Sequence, residues 1–257
     1  MRILLTNDDG INAPGLKILE SIARAISDDI WIVAPAEEQS GAGHSLTLTR
    51  PLRIRRIDDR RFAVTGTPTD AVLLALGKIM VDAKPDLILS GVNRGANLGD
   101  DVTYSGTVAA AMEGTLAGIP SIAMSQVYAQ EGLGDDVSFA TATMWGERVL
   151  RPLISFAMPE NTLLNINFPS GSAKGVRVVA QGFHDYSRAQ IVTGRDPRGY
   201  DYHWFALGGA RQTPAHSTDL EAVNDGYIAV TPLTLDLTAH ATLGALKTCF
   251  DDDAAMS

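Results

Sequence analysis

Asp8 and Asp9 stand side by side just after the apolar run Ile3-Leu4-Leu5, and Gly10 follows them. A short apolar run that ends in turn residues predicts a buried strand. In open α/β sheets, ligands bind beyond the carboxyl ends of the strands. Two adjacent carboxylates there repel each other unless a cation lies between them, and hard divalent ions such as Mg²⁺ or Mn²⁺ take oxygen ligands. The same residue types also build turns and helix caps. This stretch alone therefore leaves a metal site and a plain turn both open. Two more polar loops follow apolar runs. Ser40 and Gly41 lie in the loop after Ile30-Trp31-Ile32-Val33, and Ser90-Gly91-Val92-Asn93-Arg94-Gly95-Ala96-Asn97 follows Leu87-Ile88-Leu89. In a parallel sheet these loops share one edge, so two carboxylates, one hydroxyl and one amide oxygen drawn from them are expected to form an oxygen cage for Mg²⁺ or Mn²⁺, completed by water.

A fourth element points to an anion. Tyr104-Ser105-Gly106-Thr107 runs straight into a helix of small residues expected over 108–116. Free backbone N–H groups and the positive end of a helix dipole attract phosphate, and Ser105 and Thr107 add hydroxyls. Ordinary capping by Ser105 or Thr107 is the plainer alternative. A metal cage and an anion-binding helix start on one sheet edge together suggest metal-assisted phosphoryl chemistry.

The elements that must position these residues alternate. Helical spacing covers 16–26, 69–81 (capped by Thr69 or Asp70) and 136–156. Buried strands are expected at 30–35, 86–91, 119–124 and 163–168. Residues 46–65 read as antiparallel strands or a hairpin. Such alternation implies an α/β, Rossmann-like three-layer sandwich with a mostly parallel sheet. The expected division is a catalytic core over 1–180 and a segment over 181–257 that completes the core and makes oligomer contacts. Within that segment, 181–212 reads as a protruding hairpin carrying Tyr186, Tyr200, Tyr202, Trp204 and Phe205. Its alternating aromatics suit a subunit contact, or stacking on a base. A strand at 227–231, a helix at 243–250 and a frayed acidic tail follow.

Composition narrows the function classes. The chain has 257 residues, 45% of them hydrophobic, and a net charge of −9. That suits a folded soluble protein and disfavours stable nucleic-acid binding, because phosphate backbones are repelled outside a local basic patch. Cys249 is the single cysteine, so no intrachain disulfide or cysteine-cluster metal site is available. No apolar run reaches membrane-spanning length, and a cytoplasmic location is the expectation. His184, His203, His216 and His240 lack ligand spacing and read as surface or packing residues. His44, near the expected site, is a candidate proton donor to a leaving group.

Several motifs together resemble the SurE family of stationary-phase survival proteins. They are Asn7-Asp8-Asp9-Gly10 with Ala13-Pro14-Gly15, Ser40-Gly41, Gly66-Thr67-Pro68-Thr69-Asp70, Ser90-Gly91-Val92-Asn93, Gly95 with Asn97-Leu98-Gly99, and Tyr104-Ser105-Gly106-Thr107. Asp196-Pro197-Arg198-Gly199 and Thr218-Asp219 with Gly226-Tyr227 fit as well. The resemblance implies a divalent-metal-dependent nucleotidase that removes phosphate from nucleoside 5′- and 3′-monophosphates, some members also trimming short polyphosphate. It implies metal ligation by Asp8, Asp9, Ser40 and Asn93. A phosphate pocket would be lined by Gly41, Asn97, Ser105, Gly106 and Thr107, with Asp8, Asp9, Asn97, Ser105 and Thr107 in the catalytic set. It also implies a Rossmann-like core and a homodimer or homotetramer built through the protruding C-terminal part. Three other classes compete. A non-catalytic nucleotide- or metal-binding module has no use for an open metal position. A sugar-nucleotide transferase needs a larger cleft than the sequence marks. An NAD-dependent oxidoreductase needs Gly-x-Gly-x-x-Gly where Asn7-Asp8-Asp9-Gly10 stands.

Overall fold

A computed structural model describes residues 1–127, 138–184, 190–206 and 217–251. His216, Tyr186, the expected helix start at 136–137 and the far end of the 181–212 excursion lie outside the described residues.

The first strand, β1 (Arg2–Thr6), is buried along Ile3–Thr6 because helices cover both sheet faces. Next come α1 (Pro14–Arg24), β2 (Asp29–Pro35), β3 (Ile54–Arg56), β4 (Arg61–Val64), α2 (Pro68–Leu74) and β5 (Leu87–Arg94). The chain continues through α3 (Gly106–Leu116), β6 (Ser121–Gln126), α4 (Ala140–Ile154), β7 (Thr162–Phe168), β8 (Val176–Val178), β9 (Gln190–Arg195), β10 (Asp201–Ala206), α5 (Asp219–Asn224), β11 (Ile228–Thr234) and α6 (His240–Asp251). Among the described residues, nine strands form one sheet in the order β3-β4-β2-β1-β5-β6-β7-β11-β8. Neighbours from β4 to β7 pair in parallel; β3 against β4 and β11 against β7 run antiparallel. The architecture is thus an α/β three-layer sandwich with a mostly parallel sheet. From β1 the chain first builds outward to β2 and β4, then returns to add β5, β6 and β7 on the other side. That reversal between β1 and β5 is where open α/β sheets leave a ligand crevice.

Packing follows the sequence pattern. Leu16, Leu19, Ile22 and Ala23 of α1 join Ala142, Val149 and Leu150 of α4 over one sheet face. Gly15 lets α1 close on the sheet, since a Cβ there would lie 1.9 Å from the Val92 carbonyl oxygen. The other face carries α2 and α3, with Ala71, Val72, Val108, Ala110 and Ala111 against Leu4, Val33, Ile88 and Ala123. α3 is sandwiched so closely that only small side chains fit along most of its length.

One boundary is corrected. The helix expected over 69–81 is capped not by Thr69 or Asp70 but by Thr67, whose hydroxyl accepts from Asp70 N at 3.1 Å while Thr67 N donates to Asp70 Oδ2 at 2.9 Å. Pro68 then occupies the first turn, where proline costs no hydrogen bond. The helix passes into a π-helical turn over Ala75–Ile79. β11 returns from the C-terminal segment into the main sheet, whereas among the described residues β9 and β10 pair only with each other. No described helix is long and apolar enough to cross a membrane.

Candidate active site

Backbone N–H groups from the loop after β2 and from the end of β5 donate to the turn after β1. Asn7 is buried, and its Nδ2 donates to the Gly10 carbonyl at 2.9 Å, closing the turn. Gly10 sits at φ +101°, and a Cβ there would come within 3.2 Å of the Glu37 carbonyl carbon. Glycine thus serves both the turn and the close approach of the loop after β2. Gln39 N donates to the Asp8 carbonyl at 2.8 Å. From the other side, Arg94 N donates to Asp9 Oδ2 at 3.1 Å. A neighbour of Ser40 and a neighbour of Asn93 are thereby bonded to the Asp8–Asp9 pair. All three loops meet at the strand-order reversal.

Asp8 rests on the first turn of α3. Thr107 Oγ1 donates to Asp8 Oδ1 at 2.5 Å. A Cβ on Gly106 would lie 2.8 Å from Asp8 Cβ and 3.1 Å from Asp8 Oδ2. Only glycine at 106 lets the helix start approach this carboxylate so closely. Asp8 is 4% exposed. Burial pushes its carboxyl up to about 6, with the Thr107 hydrogen bond opposing the rise and the Asp9 charge adding to it. Burial raises Asp9 as well; the Arg94 N–H opposes and the Glu38 charge adds.

Burial thus disfavours the charged form of both adjacent carboxylates, and the Arg94 charge opposes the rise at Asp9. The segments bonded to them carry oxygen donors. Asn93 commits its Nδ2 to the Gly95 carbonyl at 3.0 Å, so Oδ1 is its available ligand atom. Ser40 is exposed, and its Oγ donates to Glu38 Oε1 at 2.9 Å. A set of two carboxylates, one hydroxyl and one amide oxygen fits a hard ion such as Mg²⁺ or Mn²⁺ rather than zinc. Among the described residues no group of three or more His, Cys, Asp or Glu is arranged to hold a metal.

The residues expected around phosphate have specific partners. Ser105 caps α3, its Oγ accepting from Val108 N at 3.0 Å, and its hydroxyl proton stays available to a ligand. The Thr107 hydroxyl is turned to Asp8. Gly41, at φ +75°, has no atom of the described residues beyond its chain neighbours within 4 Å of the position a Cβ would take. Asn97 is 7% exposed, with its Nδ2 on Ser125 Oγ at 2.8 Å. His44 Nε2 lies 2.7 Å from Glu113 Oε1. Glu113 is seven residues into α3, about 10 Å along the axis from its start, so the pair is drawn away from the helix N-terminus.

Other side chains hold the frame, and sequence reasoning did not single out their roles. Asp70 reaches beyond its own helix to accept from Thr47 N at 3.1 Å, while Thr67 Oγ1 donates to the Ser45 carbonyl at 2.8 Å. Together they strap the loop containing Ser40 and Gly41 to α2. Glu38, whose charge bears on Asp9, lay unmarked in the polar loop, because no spacing rule distinguishes it from Glu37. Asp219 accepts from Gly99 N and Gly182 N at 2.9 and 2.8 Å, joining the stretch after Asn97 to α5. His184 is not a bare surface residue: its Nδ1 lies 2.7 Å from Asp100 Oδ1. His203 pairs with Thr193, and His240 with Asp236. On β10, Tyr202, Trp204 and Phe205 are exposed, as is Tyr200 just before it.

A sequence model of the family described as "Survival protein SurE" matches residues 3–188. The chain belongs to the SurE family. A relative from Rhizorhabdus wittichii, named 5′-nucleotidase SurE, is 64% identical over 248 residues, covering 95% of this chain and 98% of its own. Another of the same name, from Erythrobacter litoralis, is 58% identical over 98% of this chain and 100% of its own. The crystal structure of the SurE protein from Aquifex aeolicus superposes with a TM-score of 0.82 at 38% identity, covering 97% of this chain and 99% of that one. The SurE likeness thus extends through the C-terminal segment as well as the core.

Proposed function

We propose that this chain is a divalent-metal-dependent nucleotidase that hydrolyses nucleoside 5′- and 3′-monophosphates to nucleoside and phosphate, with short polyphosphate as a further substrate. The observation that carries this reading is the buried Asp8 carboxylate, docked on the start of α3 beside Asp9, where three loop ends meet. The names of the SurE relatives support the 5′-nucleotidase part. Asp8, Asp9, Ser40 and Asn93 would hold one Mg²⁺ or Mn²⁺ ion. When bound, that ion supplies Lewis acidity toward a phosphoryl oxygen and makes water a better nucleophile near neutral pH.

The chain's own groups do the rest. The first N–H groups of α3 and the Ser105 hydroxyl bind and orient the non-bridging oxygens as charge redistributes in the transition state. Gly41 and Gly106 let backbone approach the phosphate. Thr107 holds the Asp8 carboxylate in one orientation, and Arg94 N holds Asp9. The 1–180 core would carry catalysis. The 181–257 segment would complete the sheet and, through the exposed Tyr200, Tyr202 and Trp204, join subunits into a homodimer or homotetramer.

Phosphate release from a panel of 5′- and 3′-mononucleotides, first with EDTA and then with Mg²⁺ or Mn²⁺ restored, tests this reading. Metal-dependent release is expected. A folded sample that binds nucleotide but releases no phosphate with either ion would instead mark a non-catalytic binding module.

A further inference from the structure

Four hydrogen bonds converge on Asn97, all from β6 and β7. Its N–H donates to Asn167 Oδ1 at 2.8 Å. Its carbonyl accepts from Asn165 Nδ2 at 2.7 Å and from Asn167 Nδ2 at 3.0 Å. Its own Nδ2 donates to Ser125 Oγ at 2.8 Å. Ser125, Asn165 and Asn167 are all 0% exposed. The sheet register explains the convergence. Asn93 on β5 pairs with Ser125 on β6, which pairs with Asn167 on β7. Residues in register on neighbouring strands share a face. Asn93, Ser125 and Asn167 thus form a row across the carboxyl edge of the sheet, and Asn165 follows two residues back along β7 on the same face. Asn97 folds down onto this row.

Such a row is costly in a core. Buried amides and hydroxyls destabilise a fold unless each is partnered. Among the described residues Asn165 Oδ1 has no hydrogen-bond partner, so the arrangement is not simply a saturated network. Apolar residues would fill these strand positions more favourably, as Leu163 does on the same face of β7. What the polar set achieves is to fix one residue, both along its backbone and at its side-chain amide.

We propose that Ser125, Asn165 and Asn167 are positioning residues that hold Asn97 in place for the phosphate. The proposal rests on the nucleotidase reading above, with Asn97 in the phosphate pocket as the family resemblance implies, and adds to it the residues through which Asn97 acts. Asn165 and Asn167 fix the height of the Asn97 backbone above the sheet. Ser125 fixes the rotation of its amide. Placement to within a fraction of an ångström is what separates productive from unproductive phosphate binding.

A double-mutant cycle tests this. Ser125→Ala removes one hydroxyl without adding bulk. Its kcat on a nucleoside 5′-monophosphate with saturating Mg²⁺ is expected to fall about tenfold, with Mn²⁺ affinity by titration calorimetry changed less than about twofold. Ser125→Thr, which restores the hydroxyl, is expected to recover most of the rate. In an Asn97→Ala background, adding Ser125→Ala is expected to cost less than about twofold more, because residues that act through one another are not additive. Full additivity, an unchanged kcat in Ser125→Ala, or a loss confined to Mn²⁺ affinity would overturn the proposal. If Ser125→Ala fails to fold, Asn167→Asp takes its place; it keeps an acceptor for Asn97 N and loses the donor to the Asn97 carbonyl. A wild-type chain that releases no phosphate would instead overturn the nucleotidase reading itself, and needs no variant to be seen.

Discussion

Gly106→Ala probes the contact between helix and carboxylate most directly. The added methyl would sit 2.8 Å from Asp8 Cβ and 3.0 Å from Pro68 Cγ, against the 3.4 Å at which ordinary contact begins. Something must yield by about 0.6 Å, since repulsion rises steeply below van der Waals separation. Pro68 is buried and fixed in the first turn of α2. The displacement therefore falls on Asp8 or on the start of α3, and either parts the carboxylate from the helix N-terminus. Overpacking of this kind costs about 1–3 kcal/mol, more than the helix-propensity gain of under about 1 kcal/mol for alanine over glycine. A shift of this size at a reacting centre costs roughly 10- to 100-fold in rate. Steady-state phosphate release across an Mn²⁺ titration, with thermal unfolding by circular dichroism, measures both effects. Gly77→Ala is the control, because among the described residues no neighbouring atom outside its own helix lies within 4 Å of its Cβ position. Wild-type turnover in Gly106→Ala would refute the idea that close approach of α3 to Asp8 matters.

Asp8→Asn should retain the fold, lose Mn²⁺ binding measured by calorimetry, and lower phosphate release on the order of a hundredfold or more; wild-type Mn²⁺ affinity in this variant would remove Asp8 from the cage. Asp70→Asn should destabilise the chain by about 1–3 kcal/mol at neutral pH by weakening charge-assisted bonds to the Thr47 and Thr67 N–H groups. Burial would raise the Asp70 carboxyl, but the Thr47 and Thr67 hydrogen bonds hold it below 3.8. Its stabilisation is therefore complete above that pH and lost as pH falls through the folded value. The gap between wild type and Asp70→Asn in urea midpoints should close in strong acid, and a gap independent of pH would contradict this. His44→Ala should keep kcat within about fivefold, since a general acid contributes roughly 10²- to 10⁴-fold and His44 is paired with Glu113. A loss in that larger range would make His44 the proton donor.

The parallel core was legible because buried strands such as Ile3-Leu4-Leu5 and Leu87-Ile88-Leu89 are continuous apolar runs, and α1 carries its stripe at helical spacing. The position of Asp8 and Asp9 at a strand end was legible for the same reason. The cap of α2 was missed because Thr67, Thr69 and Asp70 are all good capping residues, and only Pro68 in the first turn decides between them. The roles of Ser125, Asn165 and Asn167 were hidden because a polar residue inside a strand reads locally as a solvent-facing position. Their burial depends on α3, and their target arrives from a different loop. The Asp70 strap and the His184–Asp100 pair join residues 23 and 84 positions apart, beyond any periodicity. At the candidate site, motif resemblance proposes more than pattern does, since it names sets of residues rather than local shapes.

The placement of β11 bears on how this protein is made. β11 is the last of the described strands, yet it lies between β7 and β8 in the sheet. A chain leaving the ribosome N-terminus first therefore presents β7, with Asn165 and Asn167, as an open edge until residues 228–234 emerge. Exposed edges of this kind recruit other chains and seed aggregation. Most of the proposed catalytic residues are translated early, but the strand that seals their supporting layer comes nearly last. Newly made molecules should thus gain turnover only near release, and C-terminal truncation should reduce solubility before it reaches any residue that touches substrate.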